Sequence, residues 1–144
     1  MLTGVEKTLG DDNATLFEIL TCAFLKYAEN FKDNINIIEA GLFHQFDSTN
    51  VFKENLMTLI GVIHNDHFQW LENKSIEGVI YEKTAKLLNS NIFINKQVNS
   101  EIRDKIEISL EKNKSNKYFF EKDFNIAKSE NGFIQYEDGL GELV

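Results

Sequence analysis

The chain has 144 residues and a formal net charge of −8. Its length predicts a single domain, and its charge works against direct binding to a nucleic-acid backbone. The 42% of apolar residues, twelve phenylalanines among them, suffice for a core without staples, and the single cysteine excludes an intrachain disulfide.

No window approaches the roughly 20 uncharged apolar residues that cross a bilayer. The N-terminal MLTGVEKTLGDDN has neither the basic nor the apolar stretch of a secretory leader. These features predict a cytoplasmic protein. Both ends of the chain are acid-rich around a mildly basic middle, residues 73–128.

In chain order, residues 12–31 carry Leu16, Ile19, Leu20, Ala23, Phe24, Tyr27 and Phe31 at three- and four-residue steps, the pattern of an amphipathic helix. Asp12 or Asn13 is placed to cap it, and Cys22 falls among its apolar neighbours as a buried thiol. A second helix is predicted over INIIEAGLFHQF (35–46). After the turn DSTN, a third follows with Phe52, Leu56, Leu59, Ile60 and Ile63 as its stripe. Asp66 and Gln69 form a possible capping box for a further helix, with Trp70 on the core side. Ser75 and Ser100 each precede another helical run, and the Asn-rich stretch 89–100 between those runs reads as a loop. After residue 113 the pattern alternates, and SENG (129–132) is a turn, so residues 114–138 predict a β-hairpin extension and 139–144 a loose tail.

One frame occurs twice. Phe52, Lys53, Leu56 and Ile60 match Ile102, Arg103, Ile106 and Leu110 in type and spacing, and Gly61 follows the first set. Over residues 12–113 this resembles the HEAT-repeat family, whose second helices commonly begin with Val-Arg and end in Leu-Gly. Leu16, Leu20 and Phe24 give a partial further instance that lacks the basic residue; the other departures are unequal intervals, 36 and then 50 residues, and Glu111 in place of the second glycine. The fold expected is mainly α: antiparallel helix pairs stacked as a short HEAT-like solenoid or an irregular bundle, with residues 1–144 as one domain.

Several residues could carry chemistry. His64, Asp66 and His67 are potential metal ligands with His44 upstream, but Asn65 and Asp66 favour a turn and no established zinc spacing accompanies them. No metal or cofactor is therefore expected. The acid pairs 11–12 and 137–138 and the glycines Gly139 and Gly141 lie in predicted loops, outside any phosphate-loop context.

An acidic helical stack predicts a non-enzymatic binding protein whose partner is basic. By analogy of size, charge and fold, the expectation is an immunity or antitoxin protein that neutralises a basic, nuclease-type toxin. It would act as a monomer or as a heterodimer with that toxin, without direct contact to nucleic acid or membrane. Its contacts would come from Asp47, Glu54, Asp66, Tyr136, Glu137 and Asp138. The alternatives are a small enzyme with a metal-assisted site near His64 and His67, or an acidic DNA mimic or regulator from a mobile element.

Overall fold

The computed structural model describes Gly4, residues 13–130 and residues 133–138. It forms two compact units, Met1–Val51 and Phe52–Val144.

In the first unit, helix α1 spans Leu16–Ala28. Its start is a capping box: the Thr15 hydroxyl accepts from the Glu18 amide at 3.3 Å, and the Glu18 carboxylate accepts from the Thr15 amide at 2.7 Å. The cap is thus Thr15; Asp12 lies outside the described residues. Thr21 and Ala23 are buried, whereas Leu16, Leu20, Phe24 and Tyr27 are exposed, and so is Cys22.

No helix forms over 35–46; residues 35–51 run through bends and turns. Ile35, Ile37 and Ile38 lose side-chain freedom in a helix, and Gly41 costs roughly another 1 kcal/mol there. The Asp47 carboxylate organises this stretch instead. It accepts from the Gly41 amide (2.8 Å), the Thr49 amide (2.9 Å) and the Thr49 hydroxyl (2.6 Å).

The second unit is α/β. Strands β1 (Met57–Ile60), β2 (Asn91–Ile94) and β3 (Asn116–Phe119) form a parallel sheet in the order β1-β2-β3. Parallel neighbours need crossover connections, supplied by α2 (Ile76–Thr84) between β1 and β2 and α3 (Ser100–Ser109) between β2 and β3. Ser75 caps α2 and Asn99 caps α3. The two helices are joined by the Thr84–Ser109 hydroxyl pair at 2.6 Å and by Lys105, which reaches Glu77 and Glu101 at 2.6 Å each.

The register aligns Ile60, Ile94 and Phe119 across the three strands. With Ile92 they form one sheet face, buried under Val79, Ile80, Ile102, Ile106 and Leu110. Each such side chain contributes roughly 1.5–3 kcal/mol by leaving water, so this single layer dominates the unit's stability. The other face carries Leu59, Phe93 and Tyr118 in register. There the Phe93 and Tyr118 rings stack at 4.8 Å, while Met57 and Leu59 are exposed.

Strands β4 (Phe124–Glu130) and β5 (Phe133–Asp138) pair antiparallel as a separate two-stranded sheet. The first alternating residues after 113 do not belong to it; they are β3.

The mainly α, HEAT-like body over 12–113 is therefore replaced by a parallel sheet with two crossover helices. Phe52–Leu56 lie outside any regular element and Leu59–Ile60 lie in β1, whereas Ile102, Ile106 and Leu110 belong to α3 and its end. The repeated frame was a coincidence of composition. A strand inside a parallel sheet reads as a near-continuous apolar run, and so it satisfies part of a helical template by chance. Gly61 has open space around it and is not a close-packing glycine. Asp66 starts no helix: a short 3-10 turn covers Phe68–Trp70, and Trp70 is exposed.

Candidate functional site

In open α/β sheets, ligands bind outside the carboxyl ends of the parallel strands. Here that edge is built from three connections: residues 61–67 after β1, 95–99 after β2 and 120–123 after β3. The hydrogen-bond ladder extends into them, since the Asn95 amide donates to Ile60 (2.9 Å) and the Phe120 amide to Ile94 (2.9 Å). Gln97, buried, ties the first two together. Its side-chain oxygen accepts from the Ile63 amide at 2.9 Å, and its amide nitrogen donates to the Gly61 carbonyl at 3.0 Å and the Asn95 carbonyl at 2.8 Å.

The connection after β1 ends in a tight turn. The Asp66 amide donates to the His64 carbonyl at 2.7 Å, and the Asp66 carboxylate accepts from the His67 amide at 2.8 Å. The His67 ring lies 3.2 Å from the same carboxylate. His67 adopts a φ of 60°, in the left-handed region, and Glu121 after β3 has a φ of 66°. Backbone in this region is costly for a residue with a side chain and concentrates at functional sites.

A cavity of about 220 Å³ opens at the carboxyl ends of β2 and β3 and at the N-terminus of α3. Lys96, Gln97, Asn99, Arg103, Phe119 and Glu121 are among its lining residues. Lys96 pairs with Glu121 at 2.5 Å, and Arg103 with Asp104 at 3.0 Å. Both cations are thus already paired with carboxylates, beside the amide-rich start of α3.

The expected site residues are scattered. Asp47 is in the first unit, where burial acts to raise its carboxyl but hydrogen bonds from Thr49, Gly41 and Leu42 outweigh it and hold the group below the usual range. Glu54 is exposed in the segment before β1. Only Asp66 reaches the carboxyl edge, paired with His67. Tyr136, Glu137 and Asp138 lie on β5, opposite Ile126, Asn125 and Phe124. Asp11, Gly139 and Gly141 fall outside the described residues. Among the described residues, no three His, Cys, Asp or Glu side chains come together to hold a metal ion. His64, Asp66 and His67 thus do not by themselves fit a divalent cation.

The sequence reading missed Gln97, Lys96, Arg103 and Glu121. The signal was a short apolar run, NIFI, followed by polar residues, which is the mark of a buried strand ending at a site.

A parallel sheet with crossover helices makes the second unit an open α/β fold. The comparisons narrow this. The fold is shared with the apo form of L. casei FPGS at a TM-score of 0.79 and 22% identity, covering 98% of this chain and 35% of that one. It is also shared with E. coli FolC in complex with ADP, at a TM-score of 0.81 and 20% identity, covering 99% of this chain and 33% of that one.

By sequence, the chain is 50% identical over 72 residues to a dihydrofolate synthase/folylpolyglutamate synthase of Bacillus subtilis, which is 49% of this chain and 16% of that protein. It is 33% identical over 79 residues to a probable dihydrofolate synthetase of Schizosaccharomyces pombe, covering 55% of this chain and 18% of that protein. The chain therefore spans about a third of the solved structures and matches under a fifth of the curated relatives. No family model matches it.

These similarities overturn the expected non-enzymatic immunity or antitoxin role and the basic toxin partner, because the relatives are synthases. The charge reading failed for a physical reason as well. Several of the acids serve the chain's own structure: Glu18 in a helix cap, Asp47 in its loop, Glu77 and Glu101 on Lys105. Among the described residues, no helix is long and apolar enough to cross a membrane.

Proposed function

We propose that this chain provides the α/β portion of an ATP-dependent ligase of folate metabolism, of the dihydrofolate synthase/folylpolyglutamate synthase kind. The observation that carries this reading is the 50% identity over 72 residues to the Bacillus subtilis protein. The shared fold supports it: one solved neighbour is an FPGS-AMPPCP-folate complex, with a TM-score of 0.80. In this reading the carboxyl edge of the sheet faces the substrates. There the start of α3 would favour their negatively charged groups. Another neighbour holds AMPPNP and a Mn ion. A cytoplasmic location belongs to the same proposal.

The test is ADP formation from ATP, glutamate and a pteroate or folate acceptor by a whole synthase that carries this chain as its α/β portion. ADP release that needs both glutamate and the acceptor supports the reading. Release that ignores the acceptor, or no release together with no binding of AMPPCP by calorimetry, refutes it.

A further inference from the structure

We infer that Gln97, itself part of the cavity wall, is a positioning residue, which fixes the β1 exit loop at Gly61 and Ile63 and with it the Asp66–His67 pair that follows. This rests on the proposed ligase reading for its chemical meaning, but its geometry stands apart from it.

A glutamine amide offers two donors and one acceptor oxygen, and all are used here inside the protein. Both donors go to carbonyls, those of Gly61 and Asn95, and the oxygen takes the Ile63 amide. Two of these bonds span more than thirty residues of chain and join the connections after neighbouring strands. They begin where the sheet's own ladder ends, since the Asn95 amide bond to Ile60 is the last between β1 and β2. Beyond Ile60, the backbone of Gly61 and Ile63 therefore takes its place from a side chain.

The loop needs such an anchor. Four residues past Ile63 the chain enters the left-handed conformation of His67, and Val62, His64 and Asn65 are exposed. The Ile63 side chain, 1% exposed, and the Gln97 bonds are the buried attachments. Gln97 also lines the cavity. One residue thus holds the cavity wall and the loop bearing Asp66 and His67 in a common frame. An apolar residue of similar size would fill the space yet deprive the Ile63 amide and the Gly61 and Asn95 carbonyls of this partner, which is costly.

The experiment uses the isotopically labelled chain and three variants. Gln97→Met keeps the length and removes every bond; Gln97→Glu keeps the acceptor and loses both donors. Thr84→Val, a control, removes a buried hydroxyl bond between α2 and α3. The expected result for Gln97→Met is at least about tenfold faster hydrogen exchange at the Ile63 amide than in Thr84→Val at matched global stability. Shifted backbone and ring signals of Asp66 and His67 should accompany it. In Gln97→Glu the Ile63 amide stays more protected, while the signals still move; this variant decides the matter should Gln97→Met not fold. Unmoved Asp66 and His67 signals, or equal movement in Thr84→Val, overturn the inference.

In a whole synthase that carries this chain, Gln97→Met should lower kcat about tenfold, since small misplacements at a site are costly, and Thr84→Val should not. Equal kcat values overturn it too. A whole synthase carrying this chain that shows no ligase turnover refutes the functional reading instead, and the exchange and signal shifts then decide the role of Gln97 alone.

Discussion

Replacing Ile94 by alanine tests the parallel sheet most directly. Ile94 is fully buried at the end of β2, the middle strand of the sheet, in register with Ile60 on β1 and Phe119 on β3. Truncating a core isoleucine costs roughly 2–5 kcal/mol, depending on how far the site collapses. Both neighbouring strands are held by backbone ladders, so collapse is restricted and the expected loss is in the upper part of that range, about 3–5 kcal/mol. That is a large share of the roughly 5–15 kcal/mol that stabilises a domain. For a unit of this size it lowers Tm by about 15–25 °C.

The matched variant is Leu59→Ala. Leu59 is 67% exposed on the opposite face of β1, so its truncation in this chain should change stability by less than about 0.5 kcal/mol. A helix over 52–63 predicts otherwise, because Leu59 then shares the buried stripe with Ile60. Urea unfolding followed by circular dichroism gives both values at constant m. Comparable losses for Ile94→Ala and Leu59→Ala would refute the one-sided burial argued here.

Two further variants bear on the helix starts and the loop of the first unit. At Gly78 a Cβ would sit 2.6 Å from the Asn73 carbonyl oxygen. Gly78→Ala should therefore lower stability by about 1–3 kcal/mol, despite alanine's better helix propensity; a rise in Tm would refute this. The Asp47 carboxyl has a folded-state pKa below its unfolded value. Its contribution is thus fully present above the usual carboxylate pKa of about 4 and is lost as pH falls through the depressed value. Exchange at the Gly41 and Thr49 amides should rise over that acid window and already be raised at neutral pH in Asp47→Asn. Flat exchange in both cases would show that the carboxylate does not organise the loop.

Local signals in the sequence located much of the secondary structure. The three- and four-residue apolar steps over 16–28 mark α1, and Ser75 marks the start of α2 as its cap, whereas α3 is capped by Asn99, one residue before the expected Ser100. Alternation after 113 and the turn at 129–132 point to strands, and strands form there, the first of them in the parallel sheet. These signals are legible because capping and amphipathic spacing act within one or two turns of chain.

The β1 and β2 segments were not legible. MTLI and NIFI are short apolar runs, and such runs fit a buried strand or a piece of helix equally. What decides is whether a partner strand is available for the backbone, and for Met57–Ile60 that partner lies more than thirty residues away at Asn91–Ile94. The site depends on the same distant pairing. Gln97, Lys96, Arg103 and Glu121 share no local motif and meet only because two crossovers return the chain to one edge of the sheet. The sequence by itself determined where the amphipathic runs of α1, α2 and α3 lie, and named one of their caps, Ser75. Only the tertiary structure decided which apolar runs pair and which polar residues that pairing gathers, because those choices rest on bonds between segments that no local window contains.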